Sequence, residues 1–351
     1  MGFTGVKNKL FTIFNDIAHV LKPVEVGPYP APPPDIQTPE DWEPHTQLYI
    51  HNGKTQTADI TYSPARAEHA KGDIFYTLGW KAHPLEKRDV ILDFQNRGYN
   101  VITMPLVEAN GSIGTMAENI TRMKRTLFNK SSVLHDLHDE NHPLFVVSHS
   151  TSATVYETAL QESKIDELYR PDIELVIPTN PFINARGSSR SEDPIISRLY
   201  RWHAKRHMDD HAGSPLADRL YYLACGLVDN LKFEDPRGRP THGQILEISK
   251  YGDSLLESYN IGEASDSPVI AFISEDDDFA SAAVAKRYYN SKLTLKGMRS
   301  VEAEHNVLLN TELRSEILDI LDEHSAHFKP KHSPSHATEQ EEEPPEAFIF
   351  A

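Results

Sequence analysis

Residues 144–156 read Leu144-Phe-Val-Val-Ser148-His149-Ser150-Thr151-Ser152-Ala-Thr-Val-Tyr156. A short apolar run, suited to a buried strand, enters a turn of small residues and leaves it as a helix. Such a junction lifts its middle serine, Ser150, above the sheet and points backbone N–H groups at whatever binds there. Small residues are needed two before and two after Ser150, because strand and helix come too close there for larger side chains. Here both are serine, Ser148 and Ser152, where glycine is usual. Ser-x-Ser-x-Ser alone says nothing; its placement between a strand and a helix is the signal. The plainer alternative is a serine favoured at a helix N-terminus.

Outward from this stretch the pattern alternates strand and helix. Upstream, Thr46–His51 and Gln56–Tyr62 read as an opening pair of strands and Asp73–Leu78 as a short buried strand. A helix over Pro84–Arg97 stops at Gly98, and Asn100–Met104 is the next strand. A helical stretch follows over Met116–Leu137, then a strand at Pro143–Val147 and a helix at Thr151–Gln161. Downstream come the strand Glu174–Ile177, a long interruption, and the strand Val269–Ser274. A helix at Ala282–Tyr289, a strand at Ser291–Met298 and a helix at Asn310–His324 close the series. Alternation of this kind predicts an α/β protein with a mostly parallel sheet and helices on both faces. The interruption, residues 182–240, shows helical spacing in Ile196–Met208 and Ala217–Leu231 and predicts a helical cap inserted over the sheet.

Two further segments complete the chemistry that Ser150 needs. In Ile270-Ala-Phe-Ile-Ser274-Glu-Asp276-Asp277-Asp278-Phe279, a carboxylate lies just past the end of a strand, at the same rim as the serine. His305, in Val301-Glu-Ala-Glu-His305-Asn306, follows just before the last helix. A hydroxyl is a poor nucleophile until an imidazole takes its proton, and the imidazole needs a carboxylate to fix its tautomer and stabilise its charge. Singly, Asp277 reads as part of a solvated acidic turn and His305 as one of 18 histidines. Together, in the order serine, acid, histidine and each near a strand end, they predict a triad of Ser150, Asp277 and His305.

Composition removes other classes. A net charge of −17 argues against nucleic-acid binding, which needs a basic surface. One cysteine, Cys225, excludes an internal disulfide and any multi-cysteine metal site. It suits a reducing compartment, and the expectation is a cytoplasmic protein. No Gly-x-Gly-x-x-Gly follows a strand and no Gly-x-x-x-x-Gly-Lys-Ser/Thr is present, so no nucleotide cofactor is expected. His203 and His207 are four apart with His211 beyond, but no His-Glu-x-x-His surrounds them; a solvated basic helix is the better reading, and no metal is expected.

The ends read differently from the core. Val6, Leu10, Ile13, Phe14, Ile17 and Leu21 line one face of a helix over residues 1–21. Packing on its own domain is the favoured reading, with a peripheral membrane contact through Lys7, Lys9, Phe11 and Phe14 as the alternative. No secretory signal is expected. Prolines crowd residues 22–44, which predicts an extended linker, and residues 327–351 are polar and acidic, which predicts disorder. The expected organisation is thus 1–45 helix and linker, 46–181 and 241–326 catalytic core, 182–240 cap, and 327–351 tail.

Gly79-Trp80-Lys-Ala-His83, a helix, and then Arg97-Gly98-Tyr99-Asn100-Val101 resemble the lysophospholipase and monoglyceride-lipase branch of the α/β-hydrolase fold. Members carry His-Gly-x-x-x-His, a helix and Arg-Gly-Tyr-x-Val at similar spacing. The likeness covers residues 46–325 apart from the cap. The resemblance implies an esterase or lipase acting on acyl glycerols or lysophospholipids through an acyl-enzyme on Ser150, without a cofactor. It also implies an oxyanion hole formed by the backbone N–H groups of Trp80 and Thr151. The chain departs from the family at Leu78, where His is usual, at Pro105-Leu-Val-Glu108-Ala-Asn110-Gly, which replaces Asp-x-x-Gly-His-Gly, and at Ser148 and Ser152. Another reaction of the same triad, on a thioester or peptide, and a catalytically silent lipid- or partner-binding protein are the alternatives.

Overall fold

The computed structural model describes residues 38–80, 82–106, 115–166, 168–184, 201–202, 204–206, 242–258, 267–277, 280–303 and 305–330. The expected helix at 1–21, most of the proline-rich segment, nearly all of the 182–240 insertion and the tail beyond 330 lie outside them, as do Cys225, His203, His207 and His211.

Eight strands form one sheet: β1 (Glu43–His51), β2 (Lys54–Ser63), β3 (Gly72–Thr77), β4 (Tyr99–Met104), β5 (Leu144–His149), β6 (Ile173–Thr179), β7 (Val269–Ser274) and β8 (Leu295–Val301). Their order is β1-β2-β4-β3-β5-β6-β7-β8. The opening hairpin pairs antiparallel, as does β2 with β4, and every pair from β4 to β8 is parallel. The helices are α1 (Arg88–Arg97), α2 (Met116–Leu127), α3 (Val133–Leu137), α4 (Thr151–Ile165), α5 (His242–Ser258), α6 (Ala282–Asn290) and α7 (Thr311–His327).

Period-two alternation sends neighbouring residues of each strand into different cores. Along β5, Leu144 and Val146 face α2, α4, α5 and α6, whereas Phe145 and Val147 face α1 and α7. Both faces are covered, so the middles of the central strands are continuously apolar, as in Ile74–Tyr76 and Leu144–Val147. The residues of β3 and β5 are buried without exception.

Three elements differ from expectation. The single helix over 116–137 is two, α2 and α3, separated by Phe128–Ser132. Asn129 accepts from Ser131 N–H and Ser132 from His135 N–H, so these short polar side chains capture backbone donors and restart the helix. The last strand begins at Leu295, four residues after the expected Ser291. Ser291 and Lys292 instead cap the end of α6, their N–H groups donating to the Tyr288 and Tyr289 carbonyls. Helix α5 was not expected at all. It buries Ile245, Ile248 and Leu255, and Gly252 lets its backbone touch the chain after β6: a Cβ there would stand 1.6 Å from the Ile183 carbonyl oxygen.

No helix among the described residues is long and apolar enough to cross a membrane.

Candidate active site

Ser150 sits between β5 and α4 with φ 57° and ψ −126°. A non-glycine residue at positive φ is costly, and such strain persists only where surrounding contacts over-determine it. Here the serine's own N–H donates to the Thr179 carbonyl (3.1 Å) and its carbonyl accepts from Phe182 N–H (3.0 Å). The conformation raises the Ser150 side chain at the carboxyl rim of the sheet.

The two flanking serines keep the junction tight in different ways. Ser152 is wholly buried. Its Oγ accepts from His149 N–H (3.0 Å) and lies 3.0 Å from Thr77 Oγ1 and 2.8 Å from the Thr77 and His149 carbonyl oxygens. It therefore pins the first turn of α4 to the end of β3. The Ser148 hydroxyl is buried and makes no hydrogen bond among the described residues, so at that position only small size is used.

The other two predicted residues converge on Ser150. Strands β5, β6, β7 and β8 are adjacent and parallel, so the turns after them open on one edge. Asp277 follows β7, is 3% exposed, and accepts from Ala280 N–H through Oδ1 (2.9 Å). His305 follows β8, with Nδ1 2.6 Å from Asp277 Oδ2 and Nε2 2.7 Å from Ser150 Oγ. An ionised carboxylate can only accept. The proton between them therefore rests on Nδ1, which leaves Nε2 as the acceptor for the serine hydroxyl.

The loop after β3 closes over the same turn. A Cβ on Gly79 would lie 3.0 Å from His149 Cδ2 and 3.1 Å from Ser150 Cβ, so only glycine lets the chain pass this close. Trp80 is the next residue along this loop. Thr151 opens α4, where the first N–H groups of a helix have no intrahelical acceptor. Leu78 is a buried core residue whose N–H donates to the Met104 carbonyl (3.2 Å). Of the altered loop after β4, residues 107–114 lie outside the described residues.

Sequence reasoning passed over His149. This buried ring tilts against His305, with centroids 5.2 Å apart, and its Nδ1 is 3.2 Å from both Thr179 O and Oγ1. Burial, followed by the nearby His305 and Lys87, holds its pKa well below the ordinary imidazole value, so it stays neutral. Lys87 is itself buried, and its ammonium donates to Asn306 Oδ1 (2.9 Å); desolvation lowers its pKa. His149 precedes Ser150 in the chain, and its position there was the available signal; Lys87 is brought near only by the fold. Among the described residues there is no group of three or more His, Cys, Asp or Glu side chains able to hold a metal ion.

No family model and no curated protein matches the sequence. Solved structures do match in three dimensions. A soluble variant of monoglyceride lipase from Saccharomyces cerevisiae, in complex with a substrate analogue, is 18% identical; the match covers 84% of this chain and 99% of that one, with a TM-score of 0.51. A monoacylglycerol lipase from Paleococcus ferrophilus is 13% identical over 76% of this chain and 99% of its own (TM-score 0.51). A lipase in its open form is 12% identical over 81% and 99% (TM-score 0.53). The fold is that of the α/β-hydrolases. In this fold the strand–turn–helix junction at Ser150, the turn after β7 and the turn after β8 supply the three converging side chains.

Proposed function

We propose that the chain is a serine hydrolase of carboxylic esters, acting on monoacylglycerol- or lysophospholipid-like substrates. The observation that carries this reading is the unbroken hydrogen-bonded series Ser150 Oγ, His305 Nε2, His305 Nδ1, Asp277 Oδ2 at 2.7 and 2.6 Å. Lipid esters are favoured because of the resemblance in the Gly79–Val101 region and because the structural neighbours include a monoglyceride lipase and a monoacylglycerol lipase.

In the proposed reaction His305 Nε2 takes the Ser150 proton as Oγ attacks the acyl carbon. The ester carbonyl becomes an oxyanion held by the backbone N–H groups of Trp80 and Thr151, two donors fixed before the charge develops. Asp277 stabilises the imidazolium. His305 then protonates the departing alcohol, leaving the acyl group on Ser150. A water molecule, deprotonated by the same Nε2, attacks that ester; collapse of the second oxyanion frees the fatty acid and returns the proton to Ser150.

A fluorophosphonate probe tests the assignment. Wild-type protein takes the label on Ser150, and Ser150→Ala, still folded, does not. Equal labelling of both rejects Ser150 as nucleophile. A panel of monoacylglycerols, lysophospholipids, thioesters and peptides then identifies the acyl donor. Retained ligand-induced stabilisation with no turnover of any of them would favour the silent binding protein instead.

A further inference from the structure

The triad residues lie on three separate turns, and the 2.6 and 2.7 Å contacts demand that those turns keep register with one another. The segment at the end of β6, Thr179-Asn180-Pro181-Phe182, touches all three. Thr179 and Phe182 hold the backbone N–H and carbonyl of Ser150. Asn180 reaches the other two. Its Oδ1 accepts from Ser274 N–H (2.6 Å), where the turn bearing Asp277 begins, and its Nδ2 donates to the carbonyl of His305 itself (2.8 Å). Its own N–H donates to the Phe272 carbonyl of β7 (2.8 Å).

We propose that Asn180 is a positioning residue that holds the acid turn and the base turn in register with the nucleophile. The proposal rests on the serine-hydrolase reading above. Three features make the side chain suited to it. It is 2% exposed, so water does not compete for its amide. It occupies φ 42°, a left-handed conformation that asparagine tolerates better than most residues, and this backbone turn presents the amide between the two loops. The amide is also a donor on one side and an acceptor on the other, which is what a carbonyl on one turn and an N–H on its neighbour require. A plain turn residue would need only the dihedral angle, and glycine would serve as well.

That difference is the test. Asn180→Gly keeps the backbone angle and removes the bridge; Asn180→Asp keeps the acceptor for Ser274 and loses the donor to His305. Three quantities are read below the melting temperature of each protein. They are the rate of fluorophosphonate labelling, kcat and KM on a short p-nitrophenyl ester, and the downfield proton NMR resonance of the His305 Nδ1–H bonded to Asp277. Displacement of reacting groups by about 1 Å costs roughly 10²-fold in rate. Both variants are therefore expected to label and turn over about 10²-fold more slowly, with KM little changed and the downfield resonance broadened or lost. Asn180→Gly labelling at the wild-type rate with the resonance intact would overturn the proposal. If wild-type protein takes no label at Ser150, the hydrolase reading fails, but the resonance still decides: its loss in Asn180→Gly supports the bridge and its persistence refutes it. Absence of the resonance from wild-type protein also counts against the bridge, because the register it maintains would not exist.

Discussion

Gly79→Ala adds one methyl group at the closest approach between the loop after β3 and the nucleophile turn. The new Cβ would stand 3.0 Å from His149 Cδ2, 3.1 Å from Ser150 Cβ and 3.3 Å from the His149 carbonyl oxygen, against ordinary contact beginning at 3.4 Å. None of these neighbours yields easily. The His149 ring is wedged between Thr179 and His305, and the Ser150 backbone is held at both its N–H and its carbonyl. The loop must therefore retreat by about 0.4 Å or more, carrying the Trp80 N–H away from the proposed oxyanion site. Removing one such donor typically costs about 10²–10³-fold in kcat. Steady-state kinetics on a short ester should show that fall in kcat with KM within about 3-fold of wild type. Labelling by a fluorophosphonate should slow in parallel, because its phosphonyl oxygen occupies the same site. A folded Gly79→Ala protein with wild-type kcat would refute the placement of the oxyanion site at this loop.

Other outcomes follow from the packing. Ser152→Ala leaves the buried His149 N–H without its acceptor, and urea denaturation should report a loss of about 1–3 kcal/mol; unchanged stability would mean the junction does not depend on that hydroxyl. Lys292 and Glu157 form a buried ion pair at 2.5 Å, so Lys292→Met should cost about 3–5 kcal/mol by stranding the carboxylate. Adding Glu157→Gln should recover most of that loss, and a double-mutant cycle with no coupling would contradict the pairing. His149 is held neutral in the fold while its unfolded form titrates near 6.5. The unfolded state thus binds the extra proton, and stability should fall by about 1.4 kcal/mol per pH unit as pH drops below that value. Urea unfolding across pH 5 to 7.5 should show a shallower slope for His149→Gln than for wild type; identical slopes would show that the ring is protonated in the fold.

Much of this molecule was legible from residue order. Strand–helix alternation predicts the mostly parallel sheet, because hydrophobic periodicity is a local property of the chain. That Ser150, Asp277 and His305 meet was legible too, since each lies just past an apolar strand, and adjacent parallel strands end on one edge. The break at Phe128–Ser132 was not, because the polar residues there suit a helix surface as well as a cap until one sees which backbone donors they capture. Helix α5 did carry a local signal, Ile245, Ile248 and Leu255 at helical spacing, but Gly252 inside it reads as a breaker until its close pass against Ile183 is seen.

What the chain order determined alone was the kind of fold and which three side chains would stand at one edge of the sheet. What only the tertiary structure decided was their spacing and support. The left-handed turn at Ser150, the close pass of Gly79, the neutral His149 and the amide of Asn180 depend on residues about 30 to 155 positions apart meeting within hydrogen-bond distance. Hydrogen bonds act over about 3 Å whatever the sequence separation. No local pattern in the chain records such a contact, and it comes into being only when the sheet lays its strand ends side by side.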